Sequence, residues 1–157
     1  MKYVIDTSSL KVVFNYYESV FTSFWENFNL AIAEEKISSV REVKNEIESF
    51  GGDDSLKEWS KKNSGIFYSP SFEELEFVTE IFKVKHFEAN LSRQNILKGK
   101  PVADPFIIAR AKVFDLTVIT EEAFKVNGAK IPNICKHFNS IPCINLQGFM
   151  RNEKWKF

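Results

Sequence analysis

The run Pro101–Glu122, PVADPFIIARAKVFDLTVITEE, joins a helix start, an apolar helix and a buried strand with almost no linker. Asp104 followed by Pro105 reads as an N-cap with proline at the first helical position. Phe106, Ile107, Ile108, Ala109, Ala111, Val113 and Phe114 then predict a helix that is apolar on nearly every side and therefore central. Asp115 ends it. Leu116–Thr120 is a short β-branched run of the kind buried on both faces of a parallel sheet, and it stops at Glu121 and Glu122. Acids thus stand at a helix start and at a strand end. In an α/β sheet those places share one edge, where ligands bind.

The rest of the chain supplies partners for this unit. Tyr3-Val4-Ile5 predicts a first strand that ends at Asp6, followed by a polar loop, Thr7-Ser8-Ser9, able to cap a helix beginning near Leu10. Asp6 reads either as a functional acid at a strand end or as a simple turn former. Ser23–Glu26 and Ser39–Glu42 have the form of capping boxes. The second opens a helix carrying Val40, Val43, Ile47 and Phe50, which Gly51-Gly52 stops. At about 100° per residue, Glu46 lies roughly 80° from the centre of that stripe, and Glu42 and Glu48 roughly 120° away. Glu46 is therefore the acid nearest the core, while Glu42 serves the cap. Leu56 and Trp59 suggest a short helix. Ser71–Glu74 is a third capping box, opening a helix with Leu75, Val78 and Phe82 on one side. Lys83, Lys85, His86, Arg93, Lys98 and Lys100 read either as a phosphate-contacting rim or as an ordinary solvated loop. Beyond Glu122 the chain reads as irregular, with one helical turn at 123–127 and an edge strand at 141–146, since Pro142 argues against a central one. Trp155 and Phe157 pack back on the domain or against a partner.

A length of 157 residues with 44% hydrophobic residues, 16 of the chain's residues being Phe, predicts one domain (1–157) with an aromatic-rich core. The 21 basic and 21 acidic residues balance. If four acids gather round a metal, the remaining 17 face 21 basic residues, and the rest of the surface is net basic. No apolar stretch is long enough to span a membrane and no signal peptide is visible, so the expectation is a soluble, cytoplasmic protein with reduced cysteines. Cys135, His137 and Cys143 lack a fourth ligand at any standard zinc spacing.

Alternating short strands and helices predict an α/β fold, a short parallel sheet with helices on both faces. In that frame Asp6, Asp104 and the Glu121/Glu122 pair converge on one edge, and Glu46 joins from a neighbouring helix. Carboxylates this close repel one another unless a cation lies between them, and all-oxygen ligation suits Mg²⁺ or Mn²⁺. A hard cation held this way activates water and stabilises displacement at phosphorus. The leading chemistry is metal-assisted phosphodiester hydrolysis.

In this order the motifs resemble those of the PIN-domain ribonucleases, which include toxins of toxin–antitoxin pairs. The matching stretches are Val4-Ile5-Asp6-Thr7-Ser8, Val43-Lys44-Asn45-Glu46-Ile47, Ala103–Ala111 and Val118-Ile119-Thr120-Glu121-Glu122. They lie within about residues 1–125, and 126–157 form a tail in which Ile131–Cys135 is similar to one uncharacterised branch. Many members have Asp where Glu122 stands, which leaves Glu121 as an alternative ligand. The resemblance implies a PIN-like fold and an endoribonuclease using Mg²⁺ or Mn²⁺. Asp6, Glu46, Asp104 and Glu122 would be the catalytic and metal-binding acids, supported by Ser8 and Thr120, with Arg93, Lys98 and Lys100 toward RNA. Activated water would attack the phosphate and leave a 5′-phosphate and a 3′-hydroxyl. The resemblance further implies a cognate antitoxin and a homodimer. Two rivals remain: a non-catalytic PIN-like domain binding RNA or protein, and a phosphatase with Asp6 as nucleophile, which would want a second acid where Ser8 stands.

Overall fold

A computed structural model describes residues 1–49 and 54–157. The expected helix stop at Gly51-Gly52, and Phe50, lie outside the described residues.

Five short strands form one parallel sheet: β1 (Tyr3–Ile5), β2 (Ile37–Val40), β3 (Phe67–Tyr68), β4 (Thr117–Ile119) and β5 (Cys143–Ile144), in the order β3-β2-β1-β4-β5. The chain winds outward from β1 to β3, then crosses to β4 and winds the other way. Right-handed crossovers therefore put the early helices on one face and the later ones on the other. The first set is α1 (Thr7–Val13), α2 (Thr22–Ala33), α3 (Arg41–Ser49) and α4 (Asp54–Lys62); the second is α5 (Phe72–Lys83), α6 (Lys85–Lys98), α7 (Asp104–Phe114) and α8 (Ile131–His137). Helix α9 (Leu146–Asn152) returns to pack on α1. The direction of winding reverses between β1 and β4. That gap is the crevice in which doubly wound sheets hold ligands.

Helix α7 lies at the centre as its composition demands: it packs on β1, β2 and β4 and against α5 and α8, with Ile107, Ile108, Ala109 and Ala111 buried. On the opposite face Phe24, Trp25, Phe28 and Trp59 interlock, with Phe28 5.9 Å from the Trp25 ring and 5.9 Å from the Trp59 ring. The tail closes over this cluster. The Trp155 ring meets Phe149 edge-on at 5.0 Å and Phe24 at 5.9 Å, while Glu153 accepts from the Tyr3 hydroxyl at 2.8 Å. Trp155 and Phe157 thus pack back on their own domain.

Several expectations are corrected. Helix α1 starts at Thr7, because the Asp6 side chain itself caps it, accepting from the Ser8 N–H. The Ser23 box does not form, since α2 already runs from Thr22 with no side-chain cap. The Ser39 box does not form either: Ser39 belongs to β2, and its hydroxyl donates to the Ile5 carbonyl at 2.7 Å. Of the three expected boxes, Ser71–Glu74 alone makes both bonds. Helix α5 buries Glu74 and Ile81 while Leu75 is exposed, because Glu74 turns inward to Arg110 of α7. The basic run is mostly helix α6, not a loop. Residues 131–137 form α8, started by Pro132 near its first turn.

Replacing Phe28 by Ala should cost about 3–5 kcal/mol, the range for emptying a buried aromatic site. Guanidinium unfolding should show a lower midpoint at unchanged slope. A loss below about 1 kcal/mol would mean that the aromatic cluster collapses to fill the space.

Candidate active site

The carboxyl edge of β1 and β4 brings four of the sequence-selected acids together. Asp6 leaves β1 and is nearly buried, at 7% exposure. Its Oδ2 accepts from the Ser8 hydroxyl at 2.9 Å and from the Thr120 hydroxyl at 2.5 Å, and the two hydroxyls are 3.4 Å apart. Ser8 and Thr120 therefore fix Asp6 across the β1–β4 gap. Thr120 also accepts from the Glu122 N–H at 3.2 Å, so the strand end and the acid after it are held by one hydroxyl.

Glu46 reaches the same edge from α3, also at 7% exposure. Its Oε2 accepts from the Thr7 hydroxyl at 2.6 Å, and its Oε1 from the Ala103 N–H at 3.1 Å. This second contact corrects the reading of the α7 start. Asp104 is the first helical residue and Ala103 holds the cap position without a side-chain bond. Glu46 supplies the missing acceptor from another helix, where a carboxylate also meets the positive end of the α7 dipole. Asp104 is thereby freed from capping and its side chain faces the other acids.

The four carboxylates are near enough to act on one another electrostatically. Burial, then Glu122, Asp6 and Glu46 in turn, push the Asp104 carboxyl well above the usual aspartate range; Lys130 opposes them. Asp6 is raised to about 6, chiefly by burial and also by Glu122, against the lowering effect of its Thr120 and Ser8 hydrogen bonds.

Glu121 and Glu122, consecutive in sequence, part company. Glu121 points to the start of α9, where it accepts from the Leu146 N–H at 2.8 Å and the Ser9 hydroxyl at 3.1 Å. Glu122 turns toward the cluster; its Oε2 accepts from the Ile131 N–H at 2.9 Å and its Oε1 pairs with Lys130 Nζ at 3.2 Å. Lys98 of α6 lies 3.4 Å from Glu46 Oε1, and Lys100 donates to the Asn45 carbonyl at 2.9 Å. These two lysines stand beside Glu46, whereas Arg93 is exposed further back on α6. Among the described residues no group of three or more His, Cys, Asp or Glu is arranged to hold a metal as it stands. Lysines and backbone N–H groups take up oxygens of Glu46 and Glu122. The donor set, four carboxylates with two aspartates held toward their protonated forms, nevertheless fits a hard divalent cation in its chemistry.

Sequence reasoning missed three features. Thr7 and Lys130 carry no motif of their own, and only the fold brings them to the acids. Glu42, expected at a cap, is buried at 4% exposure; Arg41 pairs with one oxygen at 2.8 Å, and Oε2 has no hydrogen-bond partner. Its spacing of four from Glu46 would have flagged it as sharing that helix face. His137 stacks edge-on against Phe87 at 5.2 Å, so it belongs to the aromatic packing of the second face, and Cys135 and Cys143 are free thiols.

Both aspartates bind a proton more tightly folded than unfolded. Their contribution to stability is thus full below the ordinary aspartate pKa, about 3.9. It is lost as pH rises through about 6 for Asp6, and at still higher pH for Asp104. The metal-free protein should therefore melt progressively lower from about pH 5 to about pH 8, and Asp104→Asn should flatten the fall. A wild-type melting temperature that climbs over that window would contradict the crowding.

Comparison with curated proteins returns no match. Among solved structures, the chain is similar to the crystal structure of PAE2754 from Pyrobaculum aerophilum, with a TM-score of 0.52 and 13% identity over 97% of this chain and 96% of that one. At that identity the likeness is one of fold. A second match, to VapBC2 from Rickettsia felis bound to a DNA fragment from their promoter, has a TM-score of 0.45 and 12% identity over 92% of this chain and 98% of that one. Among the described residues no helix is long and apolar enough to cross a membrane. A family profile matches residues 3–157, and the chain belongs to the family described as Domain of unknown function (DUF4411).

Proposed function

We propose that this protein is a metal-dependent endoribonuclease of the PIN type, hydrolysing RNA phosphodiester bonds with Mg²⁺ or Mn²⁺. The observation that carries the reading is the mutual crowding of Asp6, Glu46, Asp104 and Glu122 at the β1–β4 switch point. A bound divalent cation would supply the charge that lets all four ionise, polarise a phosphoryl oxygen and lower the pKa of water. The chain's own residues do the rest. Ser8 and Thr120 hold Asp6, Thr7 and the Ala103 N–H hold Glu46, and Ile131 N–H holds Glu122. Asp104, whose carboxyl the neighbouring acids Glu122, Asp6 and Glu46 crowd most, is the one whose ionisation a bound cation would favour most. Lys98 and Lys100 stand beside Glu46 and are the cations this reading assigns to an RNA backbone.

A toxin-like role, with an antitoxin partner and a homodimer, follows from the resemblance of the four motifs. Exposed Ile96 and Leu97 on α6, at 80% and 76% exposure, offer apolar area for such contacts. A second reading, a non-catalytic RNA- or protein-binding domain, is favoured by one fact: both oxygens of Glu122 are already engaged.

Incubating a mixed pool of single-stranded and structured RNA with Mn²⁺ separates the two. The nuclease reading expects cleavage to 5′-phosphate and 3′-hydroxyl ends, and a loss of about a thousandfold or more in Asp104→Asn. It also expects wild-type stability to rise by about 2.7 kcal/mol at a hundredfold excess of Mn²⁺ over its dissociation constant. That corresponds to a melting shift of about 5–10 °C. RNA binding without cleavage, by wild type and variant alike, would favour the second reading.

A further inference from the structure

The acidic cluster carries a cation of its own. Lys130 Nζ lies 3.2 Å from Glu122 Oε1. Lys130 holds the cap position of α8, and its backbone is extended, at φ −85° and ψ 168°. The next residue, Ile131, donates its N–H to the other oxygen of Glu122. Helix α8 is therefore already tied to this carboxylate by backbone, and the ammonium is not needed as the tie. The Lys130 side chain is half exposed, at 50%. An ion pair that open to water is weak and easily exchanged. Lys98 stands on Glu46 at the far end of the cluster in the same manner.

A divalent cation and an ammonium compete for one carboxylate oxygen, because each repels the other at that distance. A lysine set free at the rim of the cluster remains anchored by its own backbone within reach of whatever anion enters. The anion that the proposed reaction brings is a phosphate of RNA, which a lysine meets as a point charge.

We infer that Lys130 is the site's exchangeable counter-cation: it holds Glu122 in the metal-free protein, yields it to a divalent cation, and then contacts a non-bridging oxygen of the substrate phosphate as a positioning residue. This rests on the nuclease reading above.

The test titrates Mn²⁺ calorimetrically into the full chain and into Lys130→Met, Lys130→Gln and Lys130→Arg, with melting in chelator to verify folding. It then measures the binding of a short fluorescent single-stranded RNA over a range of salt, with Ca²⁺ as the cation. Lys130→Met and Lys130→Gln should bind Mn²⁺ about three- to tenfold tighter than wild type, since a competitor is gone. They should bind RNA more weakly, with the salt slope shallower by about one. Lys130→Arg should restore both toward wild type. A residue of merely structural importance would weaken metal binding on removal, or leave it alone. If wild type binds Mn²⁺ and the neutral variants bind it no tighter, or keep the full salt slope, the inference is overturned while the nuclease reading stands. If neither wild type nor the variants bind Mn²⁺, the nuclease reading falls and takes the inference with it.

Discussion

Repulsion among four carboxylates is the constraint on which the carboxyl edge of this sheet depends. Asp6, Glu46, Asp104 and Glu122 come from four separate segments; Glu122, Asp6 and Glu46 raise the cost of ionising Asp104, and Glu122 raises that of ionising Asp6. Fixed donors support three of these acids. Two hydroxyls serve Asp6, a hydroxyl and a helix-start N–H serve Glu46, and another helix-start N–H serves Glu122. Lysines complete Glu46 and Glu122. Buried carboxylates supported this way without a packing need of their own point to chemistry.

The topology explains why these segments meet. Both faces of the sheet are covered, so most strand residues are apolar, Ser38 and Ser39 of β2 bonding to carbonyls of β1, and the carboxylates collect where strands end. The reversal of winding between β1 and β4 opens the only place along that pair where loops diverge to opposite faces. Asp6 stands at one lip, and Thr120 with Glu122 at the other. A cavity of about 420 Å³ between the α1–α2 connection and α4, lined by Phe14, Tyr17, Trp25 and Trp59 among others, shares no residue with the acids. The candidate site is thus marked by charge and topology.

Much of this arrangement is legible in the sequence. The apolar run of α7, the β-branched run of β4 and Tyr3-Val4-Ile5 read as one helix and two strands, which sets Asp6, Asp104 and the Glu pair at element ends. Glu46 follows from helical angle. What escapes is whatever depends on contacts distant in sequence. Ser39 looks like a cap because its local pattern fits, but the Ile5 carbonyl claims it across the sheet. Leu75 looks inward-facing until Arg110, on a later helix, draws Glu74 inside. Asp104 looks like an N-cap because nothing local reveals that Glu46 provides that service. Glu121 and Glu122 are indistinguishable as letters; their fates are decided by the helix starts of α9 and α8, which the irregular composition after Glu122 conceals. Lys130 is one lysine among many until α8 sets it beside Glu122.

The most direct test of the central claim is crystallographic. Crystals grown with Mn²⁺ should show an anomalous peak within bonding distance of Asp6 and Asp104, with Glu122 turned from Lys130 toward the ion. A peak elsewhere, or clear density for the four carboxylates with no ion among them at saturating Mn²⁺, would contradict a metal-dependent active site at this edge.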